Sequence, residues 1–377
     1  MLKILQIIPN LRKGGAERLV LDICNELQKR SDIQIKLITF SDANEYKTQT
    51  DNIDWTVIPS KVTPSIKGKP LIKIQPLQNF IFDYCPDIIH THLWESEIVL
   101  SKIEAPQAKW FGHFHSSMSQ LKNLIIPTSK KDLTDFYEKR LITKHYFNVK
   151  KEFICISKET YNYALNVLPN SFKNNISLVS NGINYSRFNL PKVTDKHKIL
   201  KLINVGTFVI KKNQKLAIDI VSQIIKNGID TEITFLGDGS TKNDLMNYAK
   251  SLNIGDKVHF KGKVNNVEDF LNESSIYLHT ALSEPFGLVL VEAMASGLPV
   301  ISLDGGGNKD LIVNGKNGYL IQENEPNIFT EKITELWNNK SLLKQQSVYA
   351  KEFSKKFDIK QYCDKLIQLY TEVENIT

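Results

Sequence analysis

Apolar and polar residues follow one another along this chain in a pattern typical of buried strands alternating with amphipathic helices. Residues 4–8 are an apolar run that predicts a buried strand. After a Gly-Gly pair, apolar residues recur at Leu19, Ile23 and Leu27, which predicts a helix with one buried face. The same succession continues along the chain. Regular alternation of strands and helices favours a parallel sheet covered on both faces.

A polar segment divides this pattern into two halves. Residues 178–198 contain an Asn-Gly turn and a proline, and they predict a linker. A second alternation of strands and helices begins near residue 201. The length of 377 residues also suits two domains of ordinary size. The α/β pattern therefore predicts two Rossmann-like, doubly wound domains, at residues 1–183 and 184–361, with a last helix at about residues 362–377.

Composition and charge narrow the classes of partner. An apolar content of 41% and a charged content of 24% are typical of a soluble globular protein. The sequence contains no run of eighteen apolar residues, so no membrane-spanning helix is predicted. The four cysteines are scattered and predict small core residues in a reducing, cytoplasmic compartment. The net charge of +7 allows an anionic partner. Nucleic acid is the least favoured, because no recognised binding module is present.

The first half of the chain contains two stretches rich in basic residues. Residues 59–76 carry four prolines and four lysines and predict a loop. Residues 122–152 carry eight lysines or arginines against four acidic residues, with Phe136, Arg140 and Lys144 at helical spacing. Two interpretations stand for this second stretch: a peripheral contact with an anionic membrane, or an ordinary surface helix, which is the simpler one.

The segment at residues 276–297 predicts a strand, a loop and a helix. Residues 276–281 are apolar, residues 287–296 favour a helix, and Gly297 is a natural stop. Such a corner presents free backbone N–H groups and the positive end of a helix dipole, which suit a phosphate or sugar hydroxyls. Glu284 lies in the loop and Glu292 about two turns into the helix. The two carboxylates would hold ligand groups about 10 Å apart, the span of a nucleotide sugar.

The string Ser-Glu-Pro-Phe-Gly-Leu-Val-Leu-Val-Glu-Ala-Met-Ala-Ser-Gly at residues 283–297 resembles the E-x7-E signature of the retaining glycosyltransferases of family 4 (GT4), which have the GT-B fold. This resemblance implies two Rossmann-like domains facing a cleft, with the C-terminal helix crossing back to the first, acceptor-side domain. It implies transfer of a sugar from a nucleotide sugar to a glycan or lipid-linked acceptor in bacterial cell-surface polysaccharide synthesis. Neither a metal nor another cofactor is expected.

The same resemblance assigns roles to individual residues. The donor-binding residues that it implies are Gly15, Gly206, Lys212, Glu284, Phe286, Gly287, Leu288 and Glu292. Lys212 and the helix start would stabilise the diphosphate, Glu284 would hold sugar hydroxyls and Glu292 the ribose. Thr207 stands where the family usually has an arginine. One cation is therefore missing from the pattern, and Lys211 is a candidate substitute.

Four histidines form two His-x-His pairs, each near the end of a predicted strand: His90, His92, His113 and His115. Because a strand places residues i and i+2 on one face, a metal site is an alternative, but no suitably spaced cysteine or carboxylate accompanies them. The resemblance implies instead a histidine close to the sugar, which His115 matches best and His113 second best. The expected catalytic set is His115, Glu284 and Lys212.

Three functions are weighed on these grounds. The leading one is a retaining glycosyltransferase in which the leaving diphosphate oxygen accepts the proton of the acceptor hydroxyl. A GT-B nucleotide-sugar epimerase would need an acid and a base facing C2 of the sugar, and the sequence offers no such set. A non-catalytic scaffold that binds anions or membranes would show no donor turnover. A cytoplasmic location, at the inner face of the membrane, fits the leading function.

Overall fold

Two parallel β-sheets organise the residues that the computed structural model describes, which are 1–63, 71–122, 129–191 and 199–372. The first sheet belongs to a unit formed by Met1–Gly182 and Ile359–Thr377, called here the N-terminal unit. The second belongs to Ile183–Asp358, called the C-terminal unit. The α/β class and the two-domain organisation predicted from the pattern are confirmed.

The strands and helices alternate along most of the chain. Up to residue 182 they are β1 (Leu2–Ile8), α1 (Gly15–Leu27), β2 (Ile33–Thr39), α2 (Lys47–Thr50), β3 (Trp55–Val57), β4 (Lys61–Thr63), β5 (Leu71–Lys73), α3 (Gln75–Tyr84), β6 (Ile88–His92), α4 (Leu93–Leu100), β7 (Lys109–Phe114), α5 (Lys130–Val149), β8 (Glu152–Cys155), α6 (Lys158–Val167) and β9 (Ile176–Leu178). From residue 183 they are α7 (Tyr185–Phe188), β10 (Leu200–Val205), α8 (Gln214–Lys226), β11 (Thr231–Leu236), α9 (Lys242–Ser251), β12 (Val258–Gly262), α10 (Val267–Asn272), β13 (Ile276–His279), α11 (Leu288–Ala295), β14 (Val300–Leu303), β15 (Gly318–Ile321), α12 (Pro326–Asn338), α13 (Lys340–Ser354) and α14 (Ile359–Thr371).

The N-terminal sheet has the strand order β3-β2-β1-β6-β7-β8-β9, and its described pairs are parallel. The chain leaves β1 toward β2 and later returns to the other side of β1 as β6, so the strand order reverses between β1 and β6. In open parallel sheets, ligands bind beyond the carboxyl ends of the strands at such a reversal. In this sheet the loops after β1 and β6 therefore lie at the expected binding edge.

The C-terminal sheet has the order β12-β11-β10-β13-β14-β15 and is also parallel in its described pairs. Its reversal falls between β10 and β13. β13 and β14 are buried throughout, as expected of apolar strands covered on both faces. The loops that follow β10 and β13 are neighbours at the carboxyl edge, although they are far apart along the chain.

The last helix, α14, belongs to the N-terminal unit. This agrees with the prediction that the C-terminal helix returns to the first domain. Its buried residues Ile359, Cys363 and Leu366 join the core that Leu19 and Ile23 of α1 contribute to. The N-terminal fold is thus completed by residues from the end of the chain.

Some predicted segments differ from what the structure shows. The loop predicted at residues 59–76 is wrong in part, because β4 and β5 pair there as an antiparallel hairpin. Residues 64–70 lie outside the described residues. Within the predicted linker, α7 forms, and residues 192–198 lie outside the described residues. Of the basic stretch at 122–152, residues 123–128 also lie outside them, and most of the remainder is α5.

No helix among the described residues is both long enough and apolar enough to cross a membrane.

One tight strand contact gives a test of the C-terminal fold. Gly318 has φ +144°, and a Cβ there would overlap the carbonyl oxygen of Val300 on the neighbouring strand. We predict that Gly318→Ala lowers the free energy of unfolding by about 3 kcal/mol, because both strain and overlap oppose the side chain. The measurement is urea denaturation followed by circular dichroism.

Gly315→Ala is the matched control. Gly315 has φ +75° and open space around its Cβ position, so the change should cost about 1 kcal/mol of backbone strain. Equal losses in the two variants would contradict the close approach of β14 and β15.

Candidate active site

An ion pair joins the two loops at the reversal point of the C-terminal sheet. Lys212, in the turn after β10, places its Nζ 2.6 Å from Oε2 of Glu284, in the loop after β13. Their side chains are 22% and 12% exposed, so the pair is largely withdrawn from water. The sequence assigned separate roles to these two residues. The structure brings them into direct contact.

The same two loops are also joined through their backbones. The Leu282 N–H donates to the Lys211 carbonyl at 2.9 Å, and the Thr280 hydroxyl donates to the Lys212 carbonyl at 3.2 Å. These bonds fix the backbone on both sides of the ion pair. The ammonium and carboxylate groups are therefore held by their loops as well as by each other.

A third loop supports Glu284 from the opposite side. The Glu284 N–H donates to the Gly305 carbonyl at 2.8 Å, and the Gly307 N–H donates to the Glu284 carbonyl at 3.0 Å. A Cβ at position 305 would lie 2.9 Å from the Glu284 nitrogen, closer than a side chain tolerates. The Gly-rich turn at residues 304–307 thus serves as a backbone clamp on the glutamate.

The electrostatic setting keeps Glu284 ionised. Burial acts to raise the pKa of this carboxyl, but the His279 ring and the Lys212 charge outweigh burial and hold the pKa at about 2. The Nε2 atom of the buried His279 lies 3.4 Å from Glu284 Oε2. Glu284 is therefore a charged acceptor across the physiological pH range.

The helix α11 begins directly after this loop. Gly287 adopts φ +98° as its N-terminal cap, a left-handed conformation that favours glycine. Leu288 is the first helical residue, and N–H groups in a first turn have no partner within the helix. The Phe286 ring is buried and packs edge-on against Phe357. The side chain of Phe286 is therefore occupied in the core, and only its backbone is suited to contact a ligand.

Glu292 lies in α11, two turns from Glu284, and is nearly buried. Burial raises the pKa of the Tyr277 hydroxyl, and the charges of Glu284 and Glu292 raise it further. Both carboxylates therefore act on the same hydroxyl, which lies 3.3 Å from the Val205 carbonyl oxygen at the end of β10.

Gly206 follows β10 and faces open space, because no heavy atom lies within 4 Å of its Cβ position. Its backbone N–H donates to the Leu236 carbonyl oxygen at 2.9 Å. Thr207 and Lys211 are exposed in the same loop. Lys211, the candidate substitute for the missing arginine, is thus at the surface, in the loop that also holds Thr207.

The reversal point of the N-terminal sheet carries the other predicted residues. Gly14 caps α1, and Gly15, its first residue, is exposed. The Gly14 N–H donates to the Tyr46 hydroxyl at 3.1 Å, which anchors the turn. The carboxylate of Glu17 occupies the space that a Cβ on Gly14 would need.

The four histidines of the two His-x-His pairs form one connected cluster. His92 Nδ1 lies 2.9 Å from His115 Nε2, and His113 Nδ1 lies 3.2 Å from His90 Nε2. His115 is partly exposed, whereas the other three are fully buried. Burial lowers the pKa of every ring, that of His115 to about 3, so the cluster is neutral near pH 7.

Two further side chains, which were not singled out from the sequence, connect to this cluster. Gln6 Oε1 lies 2.7 Å from His92 Nε2, and the Tyr370 hydroxyl lies 2.6 Å from His90 Nδ1. His279, beside Glu284, was missed in the same way. A polar residue inside or ending an apolar strand is the signal that could have found Gln6 and His279.

The neutral histidines generate a pH prediction. Below pH 6.5 these rings bind protons in the unfolded chain, but they bind none while they are buried in the folded protein. The stability of the N-terminal unit should therefore fall as the pH drops from 7 to 5. Each fully titrating ring contributes about 1.4 kcal/mol per pH unit. Urea denaturation of Trp337→Phe, monitored by fluorescence, reports this unit alone, since the other tryptophans lie within it.

His113→Gln should reduce this slope by roughly one proton. His259→Gln, a change at a partly exposed histidine of the C-terminal unit, should leave it unchanged. A stability that is independent of pH between 7 and 5 would show that the rings take up protons in the folded protein as readily as in the unfolded chain.

Comparison with known families agrees with this arrangement. The profile of the family described as Glycosyl transferases group 1 matches residues 186–353, and that of Glycosyltransferase Family 4 matches residues 13–187. The two profiles follow one another along the chain and together span both units.

Individual relatives and a solved structure extend over most of the chain. It is 27% identical to the uncharacterized glycosyltransferase MJ1178 of Methanocaldococcus jannaschii, over 98% of both chains. It is 28% identical to the UDP-Gal:alpha-D-GlcNAc-diphosphoundecaprenol alpha-1,3-galactosyltransferase of Escherichia coli, over 76% of each protein. Anabaena Alr3699/HepE in complex with UDP-glucose has a similar fold, with a TM-score of 0.79, 18% identity, and coverage of 99% of this chain and 100% of that one.

These matches agree with the fold and with the signature at residues 283–297. The chain belongs to the group 1, family 4 glycosyltransferases and is a transferase enzyme with the GT-B fold.

Proposed function

We propose that this enzyme is a retaining glycosyltransferase that moves a sugar from a nucleotide-sugar donor to a hydroxyl of a glycan or lipid-linked acceptor. The ion pair between Lys212 and Glu284, at the reversal point of the C-terminal sheet, carries the proposal. A nucleotide sugar needs a cation for its diphosphate and acceptors for its hydroxyls. The pair and the start of α11 supply both groups at one edge.

Each predicted donor residue has a role in this proposal. Lys212 and the backbone N–H groups of Phe286, Gly287 and Leu288 bind the diphosphate. Glu284 holds hydroxyls of the sugar, and Glu292 holds those of the ribose. The open space at Gly206 supports a close approach of the donor to the backbone. Lys211 supplies the second cation where Thr207 replaces the family arginine.

The proposed chemistry proceeds on one face of the sugar. The bond between the anomeric carbon and the diphosphate oxygen breaks, and the acceptor oxygen bonds to that carbon from the same side. The acceptor proton passes to the leaving diphosphate oxygen, and the configuration is retained. Lys212 stabilises the charge that grows on the diphosphate. His115 and Gly15 contribute contacts to the sugar from the N-terminal unit, and the reaction is proposed to need no metal.

The acceptor and the location are proposed together. The Escherichia coli relative is named for a diphosphoundecaprenol-linked acceptor, which supports a lipid-linked acceptor here and a role in cell-surface polysaccharide synthesis. Such an acceptor places the reaction at the cytoplasmic face of a membrane. The buried cysteines Cys24, Cys155 and Cys363 are free thiols, which suits a reducing compartment.

The surface of α5 supports contact with an anionic membrane. Phe136 and Phe147 are 46% and 50% exposed, and they share one helix face with the exposed cations Arg140 and Lys144. Successive members of this set are four, four and three residues apart, which places them along a single stripe. Exposed rings next to cations match the boundary of a bilayer that carries negative headgroups.

The donor site is tested by calorimetric binding and by hydrolysis of UDP-, GDP- and ADP-sugars. We predict that one of these donors binds and is slowly hydrolysed, and that Lys212→Gln and Glu284→Gln each weaken binding about 10- to 100-fold. The loss corresponds to one charge-assisted hydrogen bond. Hydrolysis should fall with it.

Glu352→Gln is the control, because it removes the carboxylate of an exposed ion pair with the same 2.6 Å separation, to Lys355, in the same unit. It should leave donor binding unchanged. Binding of none of the nucleotide sugars would favour a non-catalytic scaffold. Conversion of the donor into its C2 epimer would favour an epimerase.

The membrane contact is tested by sedimentation with lipid vesicles. We predict that the protein binds vesicles of phosphatidylglycerol and that Arg140→Gln with Lys144→Gln reduces the partition coefficient about tenfold or more, since each cation near an anionic surface contributes about 1 kcal/mol. Phe136→Ser should also weaken binding. The control is Val348→Ser, which removes a 64% exposed apolar residue from α13. Equal binding to phosphatidylcholine vesicles would contradict an electrostatic contact.

A further inference from the structure

A buried amide in the first strand connects the histidine cluster to the last helix. Gln6 is fully buried in β1 between apolar neighbours. Its Nε2 donates to the Tyr370 hydroxyl at 3.3 Å, and its Oε1 lies 2.7 Å from His92 Nε2. A buried amide is costly unless its polar atoms are bonded. Gln6 is therefore a junction between two hydrogen-bonded branches.

The first branch leads to His115 and has a defined direction. Because Gln6 Oε1 is only an acceptor, His92 Nε2 carries the proton. A neutral imidazole has one N–H, so His92 Nδ1 accepts the bond from His115 Nε2 at 2.9 Å. His115 Nδ1 is then left without a proton. The chain of bonds ends at His115, the partly exposed member of the cluster.

The second branch runs from the amide nitrogen through Tyr370 to His90 and His113. The Tyr370 oxygen accepts from Gln6 Nε2, which leaves its own proton for His90 Nδ1 at 2.6 Å. His90 Nε2 then donates to His113 Nδ1 at 3.2 Å. The branch ends at His113, whose Nε2 then carries a proton and has no hydrogen-bond partner among the described residues. Turning over the amide would reverse all of these bonds together.

We propose that Gln6, His92 and Tyr370 are positioning residues that hold His115 as the Nε2–H tautomer and present its Nδ1 to a sugar hydroxyl as an acceptor. The role of the acceptor nitrogen rests on the proposed function, whereas the tautomer does not. Tyr370 lies in the last turns of α14, so the end of the chain contributes to setting a group at the reversal point of the first sheet.

A metal site is the competing use of this cluster. One ligand atom each from His90, His92 and His113 lies within 4.8 Å of the others. Both nitrogens of His90 and both of His92 already have hydrogen-bond partners. A metal would have to break these bonds. The two hydrogen-bonded branches, called the relay from here on, therefore account better for the geometry.

The experiment is ¹⁵N NMR of the full-length, histidine-labelled, EDTA-treated protein, with the His115 signals assigned from His115→Gln. We expect a protonated Nε2 and an unprotonated Nδ1 at His115. In Tyr370→Phe the amide loses its orienting partner, so the His115 signals should shift toward a mixture of tautomers. Gln6→Met should abolish the single tautomer.

Tyr362→Phe is the matched control, because Tyr362 is a buried tyrosine of the same helix whose hydroxyl has no hydrogen-bond partner among the described residues. It should leave the His115 spectrum unchanged. A protonated Nδ1 in the parent protein would overturn the proposal. So would identical spectra for Tyr370→Phe and Tyr362→Phe, or stoichiometric Zn²⁺ shifting the signals of His90, His92 and His113.

Turnover separates this inference from the proposed function. With an active donor, Tyr370→Phe should lower kcat/KM several-fold and leave the affinity for the free nucleoside diphosphate unchanged. The expected tautomer in a protein that turns over no nucleotide sugar would support the relay and contradict the transferase proposal. Turnover together with a protonated Nδ1 would support the transferase and contradict the relay.

Discussion

The ion pair between Lys212 and Glu284 is the constraint on which the C-terminal unit's edge depends. Two charges withdrawn from water are tolerated when they are paired and bonded, and removing one partner of a buried pair typically costs about 3–5 kcal/mol. Here the loops after β10 and β13 supply the two charges, and the turn at residues 304–307 clamps the glutamate backbone. The pair thus holds a cation in place, ready for an anionic ligand.

The N-terminal unit also has buried polar side chains at its reversal point, but these are neutral. At its reversal point Gln6, Tyr370 and four histidines are linked to one another by hydrogen bonds, and burial keeps the rings uncharged. The two edges are therefore chemically different: one carries fixed charge and the other fixed donors and acceptors.

The sequence predicted what is local. The helix at residues 287–296 follows from its apolar run and its glycines, and α11 occupies those positions. The β4–β5 pairing was missed because strands of three residues are too short to show a periodic pattern. Contacts between distant segments were missed for another reason: Gln6 meets Tyr370 across 364 residues, and Lys212 meets Glu284 because β10 and β13 are neighbours in the sheet. Strand order decides the contact of Lys212 with Glu284, and the packing of α14 in the first unit's core decides the contact of Gln6 with Tyr370; periodicity reveals neither.

The most direct test of this account is a double-mutant cycle on donor affinity. Calorimetry would compare the parent, Lys212→Gln, Glu284→Gln and the double variant with the nucleotide sugar that the parent binds. If the pair prearranges the donor site, the double variant should bind about as weakly as either single one, with a coupling of at least about tenfold. Losses that simply multiply would show that the two residues act independently and would contradict the central role of their ion pair.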